Sequence, residues 1–395
     1  MIKEKKVQSS HHIMKNTLTL YVRMFFVIIV NLFTSRVILE VLGVDDYGIY
    51  NVVGGIVVLF TFLNTTMSSS TSKDRFYVFP VFKSITNFKI GSKPYKLFIA
   101  ILALLKEFLI LIFDKKIKIV HVHAPSDIGF RRSSYYIYLA KIFHKKIIVH
   151  IHSGRFNDYY LRHRKYVEHV FSKCDVIVAL TKEIKKFYEA MGCTNVVLIN
   201  NIIEVPIEKN VRYEDGLIHL LFLGSITEPK GIYDLVDVLC KHRLEFEGRI
   251  ILHVGGNREV DKLLHIIETK RLDNLIKYEG WLSGERKIEM LNKCNVFILP
   301  SHTEGLPISI LESFSYGKYV VATNVGGIPE IINHVNGVMF NPMDKDALYK
   351  VLSDLLQNGL SFVDNNAIKK TVYEYMPESV EKQLSNLYNS IIDGQ

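Results

Sequence analysis

The stretch from Phe297 to Glu330, FILPSHTEGLPISILESFSYGKYVVATNVGGIPE, decides the fold class of this 395-residue chain. Val296–Leu299 is a short apolar run without alternation, which is typical of a strand buried in a parallel sheet. Pro307 suits the first turn of a helix, and apolar residues recur at helical spacing from Ile308 to Tyr316. Val320–Ala322 reads as a second buried strand. This order of strand, loop, helix and strand predicts an α/β fold.

A second loop and helix follow, with Gly326 and Gly327 ahead of the helix and Glu330 in its first turn. Two helix N-termini are therefore expected at the carboxyl edge of the sheet, where free N–H groups and the helix dipole favour an anion such as phosphate. Glu304 and Glu312 should be separated by roughly 12 Å of helix rise, which suits acceptors for two separate hydroxyl groups of one extended ligand. The alternative is that Glu304 caps the helix and Glu312 is solvated.

Glu304-Gly-Leu-Pro followed by Glu312 reproduces the E-x7-E motif of glycosyltransferase family 4, and Asn324–Glu330 is similar to the loop that follows it there. This resemblance implies a GT-B fold, in which two Rossmann-like domains enclose the site. It also implies that Glu304 contacts the donor sugar, that Glu312 contacts the ribose, and that the backbone of Gly305 and Leu306 contacts the diphosphate or sugar. The donor substrate would be a nucleotide-diphosphate sugar, with no cofactor and no metal.

The second Rossmann-like domain opens with a strand at Leu220–Leu223 and a turn into a helix from Ile232. The turn contains Gly224 and Lys230, which predicts a phosphate cradle with the lysine as a point charge. Members of the resembled family often carry arginine where this chain has Ser225, whereas Lys230 is matched.

The first domain shows strands at Ile117–His123 and Lys146–His152, with a helix at Ser134–Phe143 between them. It is similar to the acceptor domain of the same family, in which strands end in His-x-His. Histidines at the carboxyl ends of parallel strands face the ligand cleft. The matching residues here are His121, His123, His150 and His152. The family's active-site histidine maps to His152, and a structural strand-end histidine is the alternative.

The N-terminal region contains two long apolar segments, Leu18–Thr34 and Gly48–Met67, after a basic stretch of 16 residues. The second segment is near the length that a bilayer requires, so two transmembrane helices are expected, with both ends on the cytoplasmic side. A pair of buried soluble helices is the alternative. Leu97–Phe113 is interrupted by two charged residues and predicts a buried amphipathic helix instead.

The first seventy residues resemble the N-terminus of a bacterial polysaccharide flippase, judged by Leu42–Gly55 and Met67–Thr71. The resemblance covers two helices, whereas such a transporter needs about a dozen. The segment is interpreted as an anchor or a fusion scar, and docking on a separate flippase or polymerase is the alternative.

The expected organisation has five parts. They are a basic cytoplasmic tail (1–16), two flippase-like transmembrane helices (17–72), an acceptor-side Rossmann-like domain (73–205), a nucleotide-sugar-binding Rossmann-like domain (206–365) and a C-terminal helix that returns to the first domain (366–395). No strand with a glycine-rich loop precedes Arg75, so the first domain is expected to lack its first strand, which puts activity in doubt.

The formal net charge of +9 favours an anionic partner. No nucleic-acid motif is present, so the expected partners are a nucleotide sugar, a lipid-linked saccharide acceptor, the membrane and polysaccharide assembly proteins. Basic residues dominate between Lys115 and Lys173, as a solvated face or as a contact with anionic lipid. Four scattered cysteines indicate reduced, buried thiols.

Two local patterns have simpler explanations than catalysis. Asp344-Lys-Asp346 spells the metal-binding motif of a different glycosyltransferase fold, but its place before a helix favours capping. Trp281 lies in a segment that resembles the family's region beside the nucleotide base, and a place in the core is the alternative.

The expected protein is therefore a membrane-anchored GT-B glycosyltransferase at the cytoplasmic face of the bacterial inner membrane. The family resemblance implies that it retains anomeric configuration and acts in capsule, O-antigen or exopolysaccharide assembly. One alternative is a catalytically impaired fusion that serves as a nucleotide-sugar-binding or flippase-associated scaffold. The other is a component of a lipid-linked oligosaccharide transporter.

Overall fold

The computed structural model describes residues 93–153, 156–209, 211 and 213–394, and residues 100–395 form one compact unit. Two parallel sheets, each with helices between its strands, make up this part of the chain. The predicted α/β fold with parallel sheets is thus confirmed. The predicted tail, transmembrane helices and flippase-like segment lie outside the described residues, and so does the region in which the first strand was predicted to be absent.

The elements of the first half are α1 (Lys93–Phe113), β1 (Ile119–Ala124), α2 (Asp127–Ile142), β2 (Lys146–Ile151), α3 (Phe156–Arg162), α4 (Arg164–Phe171), β3 (Val176–Ala179), α5 (Lys182–Ala190) and β4 (Val196–Leu198). The strands lie in the order β1-β2-β3-β4, all parallel. Helix α2 begins seven residues earlier than the predicted Ser134, at Asp127, whose φ of 58° is in the left-handed region.

The first core is rich in aromatic rings that pack largely edge to face, as their quadrupoles favour. The ring centroids of Phe130 and Phe156 are 4.9 Å apart at an angle of 66°. The other large rings of this cluster are Tyr159, Tyr160, Phe171 and Tyr188.

Helix α1 buries one face, including Glu107, whereas apolar residues such as Ile101 and Leu105 remain exposed, so the predicted buried helix is buried on one face only.

The elements of the second half are β5 (Ile218–Leu223), a 3₁₀ turn (Glu228–Lys230), α6 (Ile232–Lys241), α7 (Arg243–Phe246), β6 (Ile250–Gly255), α8 (Val260–Lys270), β7 (Ile276–Gly280), α9 (Gly284–Lys293), β8 (Val296–Leu299), α10 (Ile308–Ser315), β9 (Tyr319–Thr323), α11 (Ile328–Ile331), β10 (Gly337–Phe340), α12 (Lys345–Asn358), α13 (Asn365–Lys370), a 3₁₀ turn (Tyr373–Tyr375) and α14 (Pro377–Asp393). The six strands are parallel, in the order β10-β9-β8-β5-β6-β7. Strands β8 and β9 are buried along their whole length, as apolar runs without alternation predict.

The C-terminal segment contacts the first half of the unit. The Tyr388 hydroxyl of α14 lies 2.7 Å from His121 Nδ1, and the Gln383 side-chain oxygen accepts a hydrogen bond from the Asn200 N–H at 3.3 Å. The Ile203 N–H also donates to the Tyr375 carbonyl at 3.1 Å.

In the described part of the chain, none of the helices has both the length and the hydropathy of a membrane span.

Three minor predictions can be compared with the side chains. Asp344 Oδ1 accepts from the Ala347 N–H at 2.9 Å, so this residue caps α12 as expected. Trp281 is 36% exposed rather than a core residue. All four cysteines are free, but only Cys174 and Cys294 are buried, so the prediction of buried thiols was wrong for the other two.

Candidate active site

The second sheet has a topological switch point between β5 and β8. Chain order runs outward from β5 to β6 and β7 on one side, and from β8 to β9 and β10 on the other. At such a reversal the loops after the two central strands diverge and leave a crevice at the carboxyl edge, where ligands bind in α/β proteins. The loop after β5 contains Lys230, and the loop after β8 contains Glu304.

Glycines allow these loops to approach each other closely. Gly231 has a φ of 67°, and a Cβ atom there would lie 1.7 Å from the carbonyl oxygen of Pro300. Gly326, after β9, has a φ of 55°, and its Cβ would lie 2.2 Å from the carbonyl oxygen of Glu304. Side chains at these positions would push the loops apart, so the glycines fix the local geometry around Glu304.

Glu304 and Lys230 form an ion pair across the switch point. Lys230 Nζ lies 2.6 Å from Glu304 Oε1, and the Ser301 hydroxyl donates to the same oxygen at 2.7 Å. The glutamate side chain is 8% exposed and the lysine 30% exposed. Glu304 is therefore held by two donors beside the crevice, and these contacts do not match the alternative in which it caps α10.

Glu312 forms a second ion pair, with Lys287 of α9, at 2.7 Å between Oε1 and Nζ. The two side chains are 17% and 23% exposed, so the alternative of a solvated Glu312 was wrong. Burial acts to lower the pKa of Lys287, but the neighbouring Glu312 carboxylate outweighs it and the pKa is raised. Lys287 was missed by sequence reasoning, because it lies 25 residues from its partner and outside the recognised motif.

Glu330 does not remain at the anion-binding edge of the sheet. Its two carboxylate oxygens accept hydrogen bonds from the Lys182 and Glu183 N–H groups, both at 2.7 Å. These N–H groups belong to the first turn of α5 in the first half, where Thr181 Oγ1 also accepts from Ile184 N at 3.1 Å. Glu330 thus caps a helix of the other half. Helix α11, where the sequence placed Glu330, has only four residues.

The backbone at the other predicted donor positions is partly committed to internal hydrogen bonds. The Gly224 N–H donates to the Gly255 carbonyl at 3.1 Å, which extends the pairing of β5 with β6. The Gly305 carbonyl accepts from the Gly327 N–H at 2.7 Å, and the Leu306 side chain is buried. Gly224 therefore shapes the turn, and its N–H is not directed at a phosphate.

Arg258 is a further cation near the switch point that sequence reasoning missed. It lies in the loop after β6, is exposed, and has a φ of 94°, which is rare for a residue with a side chain. This loop is joined to the one after β5, because Ile226 N donates to Asn257 O at 2.7 Å and Glu259 N donates to Ile226 O at 3.1 Å. Backbone strain of this kind concentrates at functional sites.

The four predicted histidines of the first sheet lie together at its carboxyl edge. His123 Nδ1 lies 2.7 Å from His152 Nε2, and the rings of His150 and His152 stack with centroids 4.2 Å apart. Desolvation lowers the pKa of His121 to about 3 and holds the pKa values of His123 and His150 well below the usual range, so these imidazoles are neutral. His152 is the exposed member of the group.

These features define an α/β protein of the GT-B type, with charged loops on one Rossmann-like half and strand-end histidines on the other. Residues 217–358 match the family described as Glycosyl transferases group 1.

Similar proteins agree with that assignment. An uncharacterized glycosyltransferase of Methanocaldococcus jannaschii is 28% identical over 191 residues, which cover 47% of this chain and 48% of the relative. The amylovoran biosynthesis glycosyltransferase AmsK of Erwinia amylovora is 26% identical over 209 residues, covering 49% and 51%. The solved structure of Anabaena HepE in complex with UDP and glucose has a TM-score of 0.60 at 15% identity and covers 76% of this chain and 84% of that one.

The structural likeness supports the GT-B-like fold. The chain spans about half the length of the curated relatives described above.

Proposed function

We propose that the protein is a glycosyltransferase that moves a sugar from a nucleotide-diphosphate sugar to a lipid-linked or polysaccharide acceptor, with retention of configuration. The single observation that carries the proposal is the Lys230–Glu304 ion pair at the switch point of the second sheet, at 2.6 Å. A cation and a carboxylate held at this edge match the two ends of a donor, which has an anionic diphosphate and a sugar with several hydroxyl groups.

The donor diphosphate would be bound by Lys230, whose side chain is partly exposed and can turn from Glu304 to a phosphate oxygen. The strained Arg258 would supply a second cation from the neighbouring loop, since this chain has Ser225 where an arginine is common in the resembled family. Fixed positive groups would stabilise the charge that develops on the departing nucleoside diphosphate, and their preorganisation avoids a cost during the reaction.

The two glutamates would bind the neutral parts of the donor. Glu304, fixed by Ser301, would accept hydrogen bonds from the donor sugar, and Gly305 and Leu306 would shape the space beside it. Glu312, fixed by Lys287, would accept hydrogen bonds from the ribose hydroxyls. Each carboxylate is oriented before the ligand arrives, which reduces the entropy lost on binding.

His152 would face the acceptor. It is the exposed histidine of its group, and its contact with His123 fixes the ring orientation. A hydroxyl of the acceptor would attack on the face from which the nucleoside diphosphate departs, with its proton passing to the leaving phosphate oxygen. His152 would position that hydroxyl.

Relatives named for amylovoran biosynthesis, colanic acid biosynthesis and the O-antigen chain support a role in capsule or O-antigen assembly. We extend the proposal to the cytoplasmic face of the bacterial inner membrane, with residues 17–72 as the anchor and with polysaccharide assembly proteins as partners. No nucleic acid is involved. This part of the proposal rests on the apolar N-terminal segments and on the positive net charge.

The test is release of nucleoside diphosphate from a panel of UDP- and GDP-sugars by the full-length protein in detergent, with a membrane extract as the acceptor source. One donor should be turned over by the wild type and not by Glu304→Ala. Glu247→Gln, in an ion pair with Arg243 on α7, is the matched control and should retain activity.

Absence of donor binding in calorimetry would contradict the proposal. Binding without turnover, at every donor and with acceptor supplied, would favour the alternative of a nucleotide-sugar-binding scaffold.

A further inference from the structure

The histidine group contains buried nitrogen atoms that nothing in the described protein satisfies. The side chain of His150 is 5% exposed, and neither Nδ1 nor Nε2 has a hydrogen-bond partner. His121 Nε2 is also buried without a partner. Leaving a buried polar atom unsatisfied costs roughly 1–3 kcal/mol, and native proteins generally avoid it. These buried nitrogens are therefore candidates for binding a ligand.

The parallel register of β1 and β2 places the rings together. His123 is the direct cross-strand partner of His150, and His121 lies two residues before His123 on the same face of β1. The ring centroid of His150 is 5.1 Å from that of His123 and 5.6 Å from that of His121. The cluster is therefore a product of strand pairing, and it is positioned by two rigid elements.

One ligand atom from each of His121, His123 and His150 can be chosen such that all three lie within 4.8 Å of one another. In a tetrahedral zinc site with Zn–N bonds of about 2.0–2.1 Å, the nitrogens are separated by about 3.3 Å. Small side-chain rotations would close that difference. Three neutral imidazoles suit zinc, cobalt, nickel or copper, whereas magnesium and calcium prefer oxygen ligands.

Second contacts orient two of the rings as in known metal sites. His121 Nδ1 lies 2.7 Å from the Tyr388 hydroxyl, which leaves the unpartnered Nε2 as the atom that could bind a metal. His123 Nδ1 lies 2.7 Å from His152 Nε2. Hydrogen bonds at the distal nitrogen fix the ring and the tautomer of a metal-binding histidine.

We propose that His121, His123 and His150 form a binding site for one divalent transition-metal ion of the zinc class. The ion would join β1 to β2 and, through Tyr388, would stabilise the docking of α14 on the first sheet. His123 also contacts His152 of the proposed acceptor side, but metal uptake is measured without donor or acceptor, so failure of this inference and failure of the proposed transferase activity are distinguishable.

The test uses full-length protein carrying no histidine tag, stripped with a chelator and titrated with Co²⁺ and then Zn²⁺. We expect about one equivalent of Co²⁺ per chain, with the visible absorption of a nitrogen-ligated tetrahedral site, and its loss when Zn²⁺ displaces it. His150→Gln and His121→Gln should each weaken binding by at least about 100-fold, since loss of a direct ligand exceeds the 10–100-fold loss seen for outer contacts.

The matched control is His253→Gln in the second sheet. His253 is equally buried and lies 2.9 Å from His219, but its other nitrogen is satisfied by Glu279 at 2.8 Å. This variant should bind one equivalent, as the wild type does. If a variant that lacks one of these histidines does not fold, the test uses the wild type alone. Its melting temperature should then rise with Zn²⁺, and its Co²⁺ complex should show the expected spectrum.

Failure of the folded wild type to take up one equivalent would overturn the proposal. So would unchanged affinity in both His121→Gln and His150→Gln, which would place the ion elsewhere.

Discussion

The second sheet carries charged side chains in ion pairs at its carboxyl edge, whereas the first sheet carries four adjacent histidines there, and burial lowers the pKa of all four. In the second half, the loops of a complete switch point hold Lys230 with Glu304, and Lys287 with Glu312. In the described part of the first half, the strand order runs in one direction without a reversal. The second sheet therefore presents paired charges from the loops at its switch point, whereas the first sheet presents histidines from the ends of its strands.

The second sheet and the first sheet are suited to binding different ligands. Paired charges can exchange partners with an anionic, hydroxyl-rich ligand at little cost, because each partner is already desolvated and oriented. Neutral imidazoles carry no charge to balance a diphosphate, but they can position a hydroxyl or bind a metal ion. Binding of the donor should therefore depend on the second half, and binding of the acceptor on the first half.

The largest expected effect comes from Lys230→Met, which should lower donor turnover about 100–1000-fold, the loss typical of removing one preorganised electrostatic group. It also leaves the nearly buried Glu304 without its cation, which destabilises the fold. The double variant Lys230→Met/Glu304→Gln should regain thermal stability but not activity. Initial rates and melting temperatures of the three proteins check this, and recovery of activity in the double variant would contradict the assigned role.

His152→Ala should reduce sugar transfer about 100-fold while the KM for the donor stays unchanged, because this histidine acts on the acceptor side. The measurement is transfer kinetics at varied donor and at varied acceptor concentration. His169→Ala, on the exposed surface of α4, is the control and should leave both parameters unchanged. A raised donor KM at normal kcat would instead place His152 at the donor and would break the division between the two halves.

Glu107→Gln tests whether neutrality through burial extends to α1 of the first half. Burial raises the pKa of Glu107 from 4.5 to about 8, so the folded chain keeps a proton that the unfolded chain releases above pH 4.5. The wild type should lose stability as pH rises from 4.5 to 8, by up to about 1.4 kcal/mol per pH unit. The glutamine of Glu107→Gln does not titrate, so the free energy of unfolding of the variant should exceed that of the wild type by an amount that grows from pH 4.5 to about pH 8 and then stays constant.

Denaturant unfolding at several pH values measures that difference, with Glu189→Gln on the exposed surface of α5 as the control. A Glu107→Gln advantage that does not change between pH 5 and pH 8 would show that Glu107 is ionised in the folded protein.

Lys287→Met should raise the KM for the donor about tenfold with little change in kcat, because Glu312 would lose the partner that orients it toward the ribose. Lys293→Met is the control, since Lys293 lies on the same helix but pairs with Glu289 within that helix. A matching loss of kcat would mean that Lys287 contributes to the transition state rather than to donor binding.

Local patterns in the sequence were enough to predict the elements around the donor site. The apolar run of β8 ends at Pro300, so its bounds Val296–Leu299 were predicted as observed. Contacts between distant segments were not predictable in this way. The partners of Glu330 lie 147 and 148 residues away, and the histidine cluster depends on the register that sets His123 beside His150.

The start of α2 was missed for a local reason. Its first residues, Asp127 to Arg132, include a glycine and two arginines and have little apolar periodicity, and Asp127 adopts a left-handed φ. The sequence alone therefore identified the loops and the motif, whereas the structure was needed to show which charged side chains form ion pairs.

Glu330→Gln tests the contact that links the two halves and should have the smallest effect. The variant keeps a hydrogen-bond acceptor but removes the negative charge at the N-terminus of α5, which stabilises a helix by about 1 kcal/mol. Hydrogen exchange at the Lys182 and Glu183 amides should accelerate about fivefold, while amides in β8 should be unchanged. Because the two carboxylate oxygens bond both N–H groups at 2.7 Å, this local acceleration is specific to the contact. Equal acceleration in both halves would mean that Glu330 supports the fold as a whole, and that the two regions do not behave as separate units.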